Sequence, residues 1–259
     1  MTQHFAQTNI QLYNQMIEAG YHESDLHRIT EAYKLATEIF VGCYRRSGKT
    51  QLAHLIGTAS IMTWLRRPSI SIAAALLHAA YAEGDFGSES ISKELRNAIG
   101  SEVQQLVGAY YQLKWPYHPK QVNDLITSVS SMNNFDQEII LLRVVNELED
   151  YLDFAPHYHA TKRFDGTPAC LDEISLRKLA LALRQPRLAE EISAQSDALR
   201  LAPIPVLLRR IYPRFNAPRS YRLTISGYWR KLRRYYRRIR KLRLIEITQA
   251  LQRRLKIKS

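Results

Sequence analysis

The segment best suited to hold an anion is Arg45-Arg46-Ser47-Gly48-Lys49-Thr50. Arg45, Arg46 and Lys49 bring three positive charges together, Ser47 adds a hydroxyl, and Thr50 with Gln51 and Leu52 opens a helix whose free N–H groups favour negative charge. The Gly-Lys-Thr triplet does not make a phosphate-binding P-loop. The glycine such a loop needs five positions before Gly48 is Cys43, Gly42 is one position out, and no clear buried strand precedes it. An equal alternative is that these cations form the basic end of the preceding helix and compensate its macrodipole.

Other reactive side chains are sparse. His78 sits in the run Ile70–Ala80, which is apolar all round, so read alone it is a hydrogen-bonded core histidine. His118, His157 and His159 fall in loops without a cysteine or carboxylate at ligand spacing. No Gly-x-Ser-x-Gly, His-Glu-x-x-His or dinucleotide fingerprint occurs. Cys43 and Cys170 are too few for a disulfide framework and do not form a Cys-x-x-Cys pair, which points to a reduced, cytoplasmic setting. The first residues lack the charged and apolar regions of a secretory signal, and the longest apolar run is too short to span a bilayer.

Helices must position these groups, because apolar residues recur at three- and four-residue intervals and two-residue alternation is almost absent. The pattern predicts an all-α body. Thr8 caps a first helix closed by Gly20; Ser24 caps a second, with Leu26, Ile29, Tyr33, Ala36 and Phe40 on one face and a stop near Gly48. A third helix runs from Thr50 to about Arg66, where Pro68 breaks it, and a buried fourth runs from Ser69 to about Glu83. Further helices fit 88–98, 101–113, 119–131, 135–153, 172–184 and 187–199.

The formal charge of +13 is unevenly held. Residues 201–259 carry 18 Lys/Arg and the single acid Glu246, so the tail is +17 and the body −4. That split excludes a basic partner-binding role for the whole chain. The expected organisation is a helical domain over 1–200, a proline-containing connector over 201–227 and a basic amphipathic helix over 228–259. Trp229, Leu232, Tyr235, Tyr236, Ile239 and Leu242 make the apolar stripe of that last helix. Three uses are open for it: lying on an anionic membrane surface, binding a nucleic-acid backbone, or packing on the acidic body or a second copy.

Taken in order, Arg46-Ser47-Gly48 followed by His54, then Leu76-Leu77-His78-Ala79, then the later helix Leu142–Asp150 resemble the HD-domain superfamily, and most closely the (p)ppGpp hydrolase domain of the RelA/SpoT family. Gly48 precedes His54 by six residues, His54 precedes His78 by 24, and His78 precedes Asn146 by 68. The resemblance covers roughly residues 25–155. It implies an all-α HD-like bundle, a divalent cation such as manganese, iron or zinc, and a nucleotide held partly by the basic-Ser-Gly segment, here Arg45, Arg46, Ser47 and Lys49.

The departures alter what the resemblance implies. The family's metal site uses two His and two Asp; His54 and His78 match, but the first Asp is Ala79 and the second is Asn146. Of the acidic pair that positions the attacking water, Glu83 remains, opposite Ala82. Asp150, one turn beyond Asn146, and Asp85, in the Gly84-Asp85-Phe86-Gly87 loop, are the carboxylates available to rebuild a site with His54 and His78. The competing reading of Glu149, Asp150 and Asp153 is a solvated acidic face at a helix end. The expected function is binding of a small phosphorylated or nucleotide-like ligand with little or no hydrolysis, in a divergent branch with degenerate metal ligands. The alternatives are an active metal-dependent phosphohydrolase with substituted carboxylates, and a scaffold on the inner membrane face or on nucleic acid acting through 228–259.

Overall fold

Thr8 opens the first helix through a reciprocal capping box. Its hydroxyl accepts from the Gln11 N–H at 3.3 Å, and the Gln11 side chain accepts from the Thr8 N–H at 3.1 Å. The structure, a computed structural model, describes residues 4–40, 42–45, 48–83, 88–152 and 171–203, with only the backbone at 83 and 88–90. Among these residues it is all-α, as the periodicity predicts. In order the helices are α1 (Asn9–Glu18), α2 (Glu23–Phe40), α3 (Gln51–Trp64), α4 (Ser69–Leu77), α5 (Ala80–Glu83), α6 (Ser88–Ile99), α7 (Ser101–Gln112), α8 (Pro119–Ser128), α9 (Asn134–Leu152), α10 (Glu173–Ala182) and α11 (Pro186–Leu201). A 3-10 turn, Val129–Ser131, extends α8.

The core forms around α3 and α4. Every α4 residue except Ile70 is buried, and α4 packs against α2, α3 and α7. Helix α3 is buried almost as completely although its sequence is rich in small polar residues. Those groups are satisfied internally: Thr58 and Thr63 hydroxyls donate to the carbonyls of His54 and Ala59, at 2.9 and 3.0 Å, and the Ser60 hydroxyl donates to Gln15 Oε1 at 2.6 Å while accepting from the Ala6 N–H at 2.8 Å. Helix α9 packs on α3, α7, α10 and α11 and presents its last turns to the N-terminal half of α3.

Two expected helix boundaries shift. Helix α2 stops at Phe40, eight residues short of Gly48, so Arg45 and Lys49 are not a basic end of that helix. They lie on a tight connection in which the Arg45 N–H donates to Lys49 O at 2.8 Å, the Gly48 N–H to Arg45 O at 3.0 Å, and the Gln51 N–H to Cys43 O at 2.9 Å. Gly48 makes this reversal at φ +90°, a conformation that glycine adopts without strain. The expected helix 69–83 divides at His78 and Ala79 into α4 and α5. His78 Nδ1 donates to Ala75 O at 2.8 Å, so a side chain engages a carbonyl of the last turn of α4.

The chain divides into two units, Met1–Pro218 and Arg219–Ser259, and only the first contains described residues. Residues 204–227 of the expected connector 201–227, the expected basic helix 228–259, Asp85, Arg46, Ser47 and Cys170 lie outside the described residues. Among the described residues no helix is long and apolar enough to cross a membrane.

Candidate functional site

His54 enters the core on the first turn of α3, and His78 follows the last residue of α4; their rings meet edge to face with centroids 5.4 Å apart. Tyr110 of α7 closes the other side of His78 at 5.1 Å. The bond from His78 Nδ1 to Ala75 O places the ring proton on Nδ1 and leaves the lone pair on Nε2. Burial holds both imidazoles well below their ordinary value, with Arg45 pushing His54 further down and His54 pushing His78 further down. Both histidines are therefore neutral.

Helix α9 brings three carboxylates to this end of the bundle. Glu149 is fully buried; one of its oxygens contacts His54 Nδ1 and the other pairs with the Lys49 ammonium. Asp150 pairs with the Arg45 guanidinium, and its Oδ1 stands 3.9 Å from His54 Nδ1. Glu147 pairs with Arg143, whose guanidinium also donates to the Tyr110 hydroxyl at 3.1 Å. Burial, opposed by Lys49, pushes the Glu149 carboxyl up to about 8. Burial, opposed by Arg143, also raises Glu147.

The contact between Glu149 and His54 gives the pair two proton arrangements. With Glu149 ionised, the His54 Nδ1–H donates to it and Nε2 keeps the lone pair. With Glu149 protonated, its O–H donates to Nδ1 and the ring proton moves to Nε2. His54 Nε2 and Asn146 Oδ1 are buried and lack a hydrogen-bond partner among the described residues.

Helix α3 does not offer the anion site its sequence suggests. Of its first four N–H groups, that of Gln51 donates to Cys43 O, that of Ala53 to the Thr50 hydroxyl at 3.2 Å, and that of His54 to Thr50 O at 3.3 Å. The solvated acidic face expected at the end of α9 is also absent at Glu149. That residue stands seven and four positions after the buried Leu142 and Val145, so it continues their apolar stripe into the core. This register was the sequence signal for a buried carboxylate. Of the two proposed catalytic carboxylates, Glu83 ends α5 with its side chain undescribed, and Asp85 lies outside the described residues.

Residues 32–123 match the family described as HD domain. The match runs from α2 into the first turns of α8 and contains His54 and His78; α9, with Asn146, Glu149 and Asp150, lies beyond it. Solved structures similar to this chain include one described as a metazoan ortholog of SpoT that hydrolyzes ppGpp and plays a role in starvation responses. It is 15% identical, covers 68% of this chain and 97% of its own, and has a TM-score of 0.44. No curated protein matches the chain.

HD domains usually bind a divalent metal. His54, Glu149 and Asp150 each bring a ligand-type atom within 4.8 Å of the others. Both carboxylates already face a cation, and both approach the Nδ1 side of His54. The remaining positions offer the neutral imidazole of His78 and the neutral amide of Asn146, while Ala79 supplies no donor atom. Among the described residues no uncompensated anionic ligand is available, so this donor set does not fit a tightly held divalent ion.

Proposed function

We propose that the site around His54 and Arg45 binds a small phosphorylated, nucleotide-like ligand and has little or no hydrolytic activity. The observation that carries this reading is that Glu149 contacts Lys49 and Asp150 pairs with Arg45, so both α9 carboxyls beside His54 already have a cationic partner. Arg45 stands at the partly exposed edge of that network, where a phosphate can reach it, and Arg46 and Ser47 adjoin it in sequence. The test is titration of chelator-treated full-length protein with a nucleoside 5′-diphosphate. Binding that is lost in Arg45→Gln, with the nucleotide recovered intact, supports the reading. Phosphate or pyrophosphate release that is stimulated by a divalent ion and abolished by Asp150→Ala contradicts it.

A second reading is favoured by the His54–Glu149–Asp150 cluster and by the unpartnered His54 Nε2: a phosphohydrolase in which manganese, iron or zinc displaces Lys49 and Arg45 from the α9 carboxylates. The same release assay separates the two. The tail reading, a cytoplasmic scaffold held on an anionic membrane or nucleic acid through 228–259, rests on composition. Liposome flotation with and without those residues tests it; equal flotation would remove the tail from membrane binding.

A further inference from the structure

The two ion pairs beside His54 differ in exposure. Glu149 has a fully buried side chain, also contacts His54, and lies where a Cβ at position 57 would stand 2.9 Å from its Cγ; Lys49 is 11% exposed. The Arg45–Asp150 pair is 19% and 20% exposed and sits near the end of α9. The Arg45 backbone is fixed by bonds to Lys49 and Gly48, and the Tyr44–Thr50 bridge closes the same connection. The guanidinium thus projects from a rigid base toward a carboxylate that has solvent beside it.

We infer that Asp150 is a built-in competitor for Arg45, so that the site selects ligands presenting a phosphate dianion and excludes carboxylate monoanions. The inference rests on the proposed ligand-binding reading and names its ligand class. A carboxylate arriving at Arg45 exchanges one singly charged pair for an equal one. A phosphate dianion brings more charge and three acceptor oxygens, so it gains from the exchange, while Asp150 turns toward water. Lys49, held by Glu149 in the Gly57 slot, remains a structural cation and does not join the ligand.

The test follows the imidazole resonances of His54 during titration of the full-length protein with inorganic pyrophosphate, and with acetate at matched ionic strength. Reading His54 separates the site from polyanion binding by the tail. Wild type, Asp150→Asn, Asp150→Ser, Arg45→Gln and the Arg45→Gln/Asp150→Asn double variant are compared. Both Asp150 variants are expected to bind pyrophosphate about tenfold more tightly than wild type and to begin responding to acetate, with both effects absent in the double variant. Arg45-dependent binding that is unchanged or weakened in both Asp150 variants overturns the inference and leaves the proposed ligand binding standing. No Arg45-dependent response in wild type or in either Asp150 variant overturns that proposed function and the inference with it.

Discussion

Glu149 occupies the space that a side chain at position 57 would fill: a Cβ on Gly57 would stand 2.9 Å from Glu149 Cγ and 3.0 Å from its Cδ. Glycine inside a helix costs about 1 kcal/mol relative to alanine. Here that cost allows α3 to approach α9 closely enough for Glu149 to reach both His54 and Lys49. Gly57→Ala is expected to destabilise the protein by about 2 kcal/mol through overpacking, despite the gain in helix propensity. In a Glu149→Ala background the same change should be neutral or stabilising. Urea denaturation of the four proteins in this cycle checks it; equal effects of Gly57→Ala in both backgrounds would disprove the steric relationship.

Stability should fall on the alkaline side through Glu149. Its carboxyl is raised from 4.5 to about 8, so between those values the folded protein holds a proton that the unfolded chain has released, and stability decreases as pH rises. His54 and His78, lowered from 6.5, act below that pH only and in the opposite sense: the unfolded chain then binds the extra protons, so stability falls as pH falls. Between pH 6.5 and 8 the Glu149 contribution stands alone among these three, at about 1 kcal/mol lost per pH unit. Denaturation midpoints across that range should decline in wild type and flatten in Glu149→Gln. Parallel slopes would count against a protonated buried carboxyl.

Arg143 and Glu147 form the pair that supports Tyr110 against His78. Burial would lower the Arg143 value, but Glu147 and Tyr110 outweigh it and hold the guanidinium more firmly charged. Its guanidinium carbon also lies over the Trp115 ring, 5.4 Å from the ring centroid. Glu147→Ala would leave that charge without its closest partner and is expected to cost about 3 kcal/mol. Arg143→Met combined with Glu147→Leu should recover most of the loss in chemical denaturation.

Restoring the missing carboxylates should create a metal site. Ala79→Asp with Asn146→Asp places two anions among His54, His78 and the unpartnered His54 Nε2. Millimolar manganese is expected to raise the melting temperature of the double variant by about 5 °C and that of wild type not at all. An equal rise in wild type would show that the present donors suffice.

The sequence made the helices legible wherever a cap and a stripe agreed, as at Thr8 and Thr50, whose hydroxyls accept from Gln11 and Ala53. It was misleading at His78, because periodicity carries no record of a side chain that bonds to its own helix. The end of α2 was misplaced because the residues up to Gly48 carry no proline, while their turn is fixed by backbone bonds to residues farther along. His54 and His78 were legible as a pair through spacing, and the structure brings their rings together. Glu149 was undervalued because carboxylates are rarely buried; only the contact with Lys49 and the space left by Gly57 make its position tolerable. Nor could spacing show that Arg45 and Lys49 pair with Asp150 and Glu149, residues about a hundred positions away.

Metal content is the most direct measure of whether this site stands without a metal. Full-length protein purified without chelator, and analysed for manganese, iron and zinc, should contain far less than one equivalent of each, with no difference between wild type and His54→Ala. One stoichiometric ion in wild type that is lost in His54→Ala would contradict a site whose α9 carboxyls are engaged by Lys49 and Arg45.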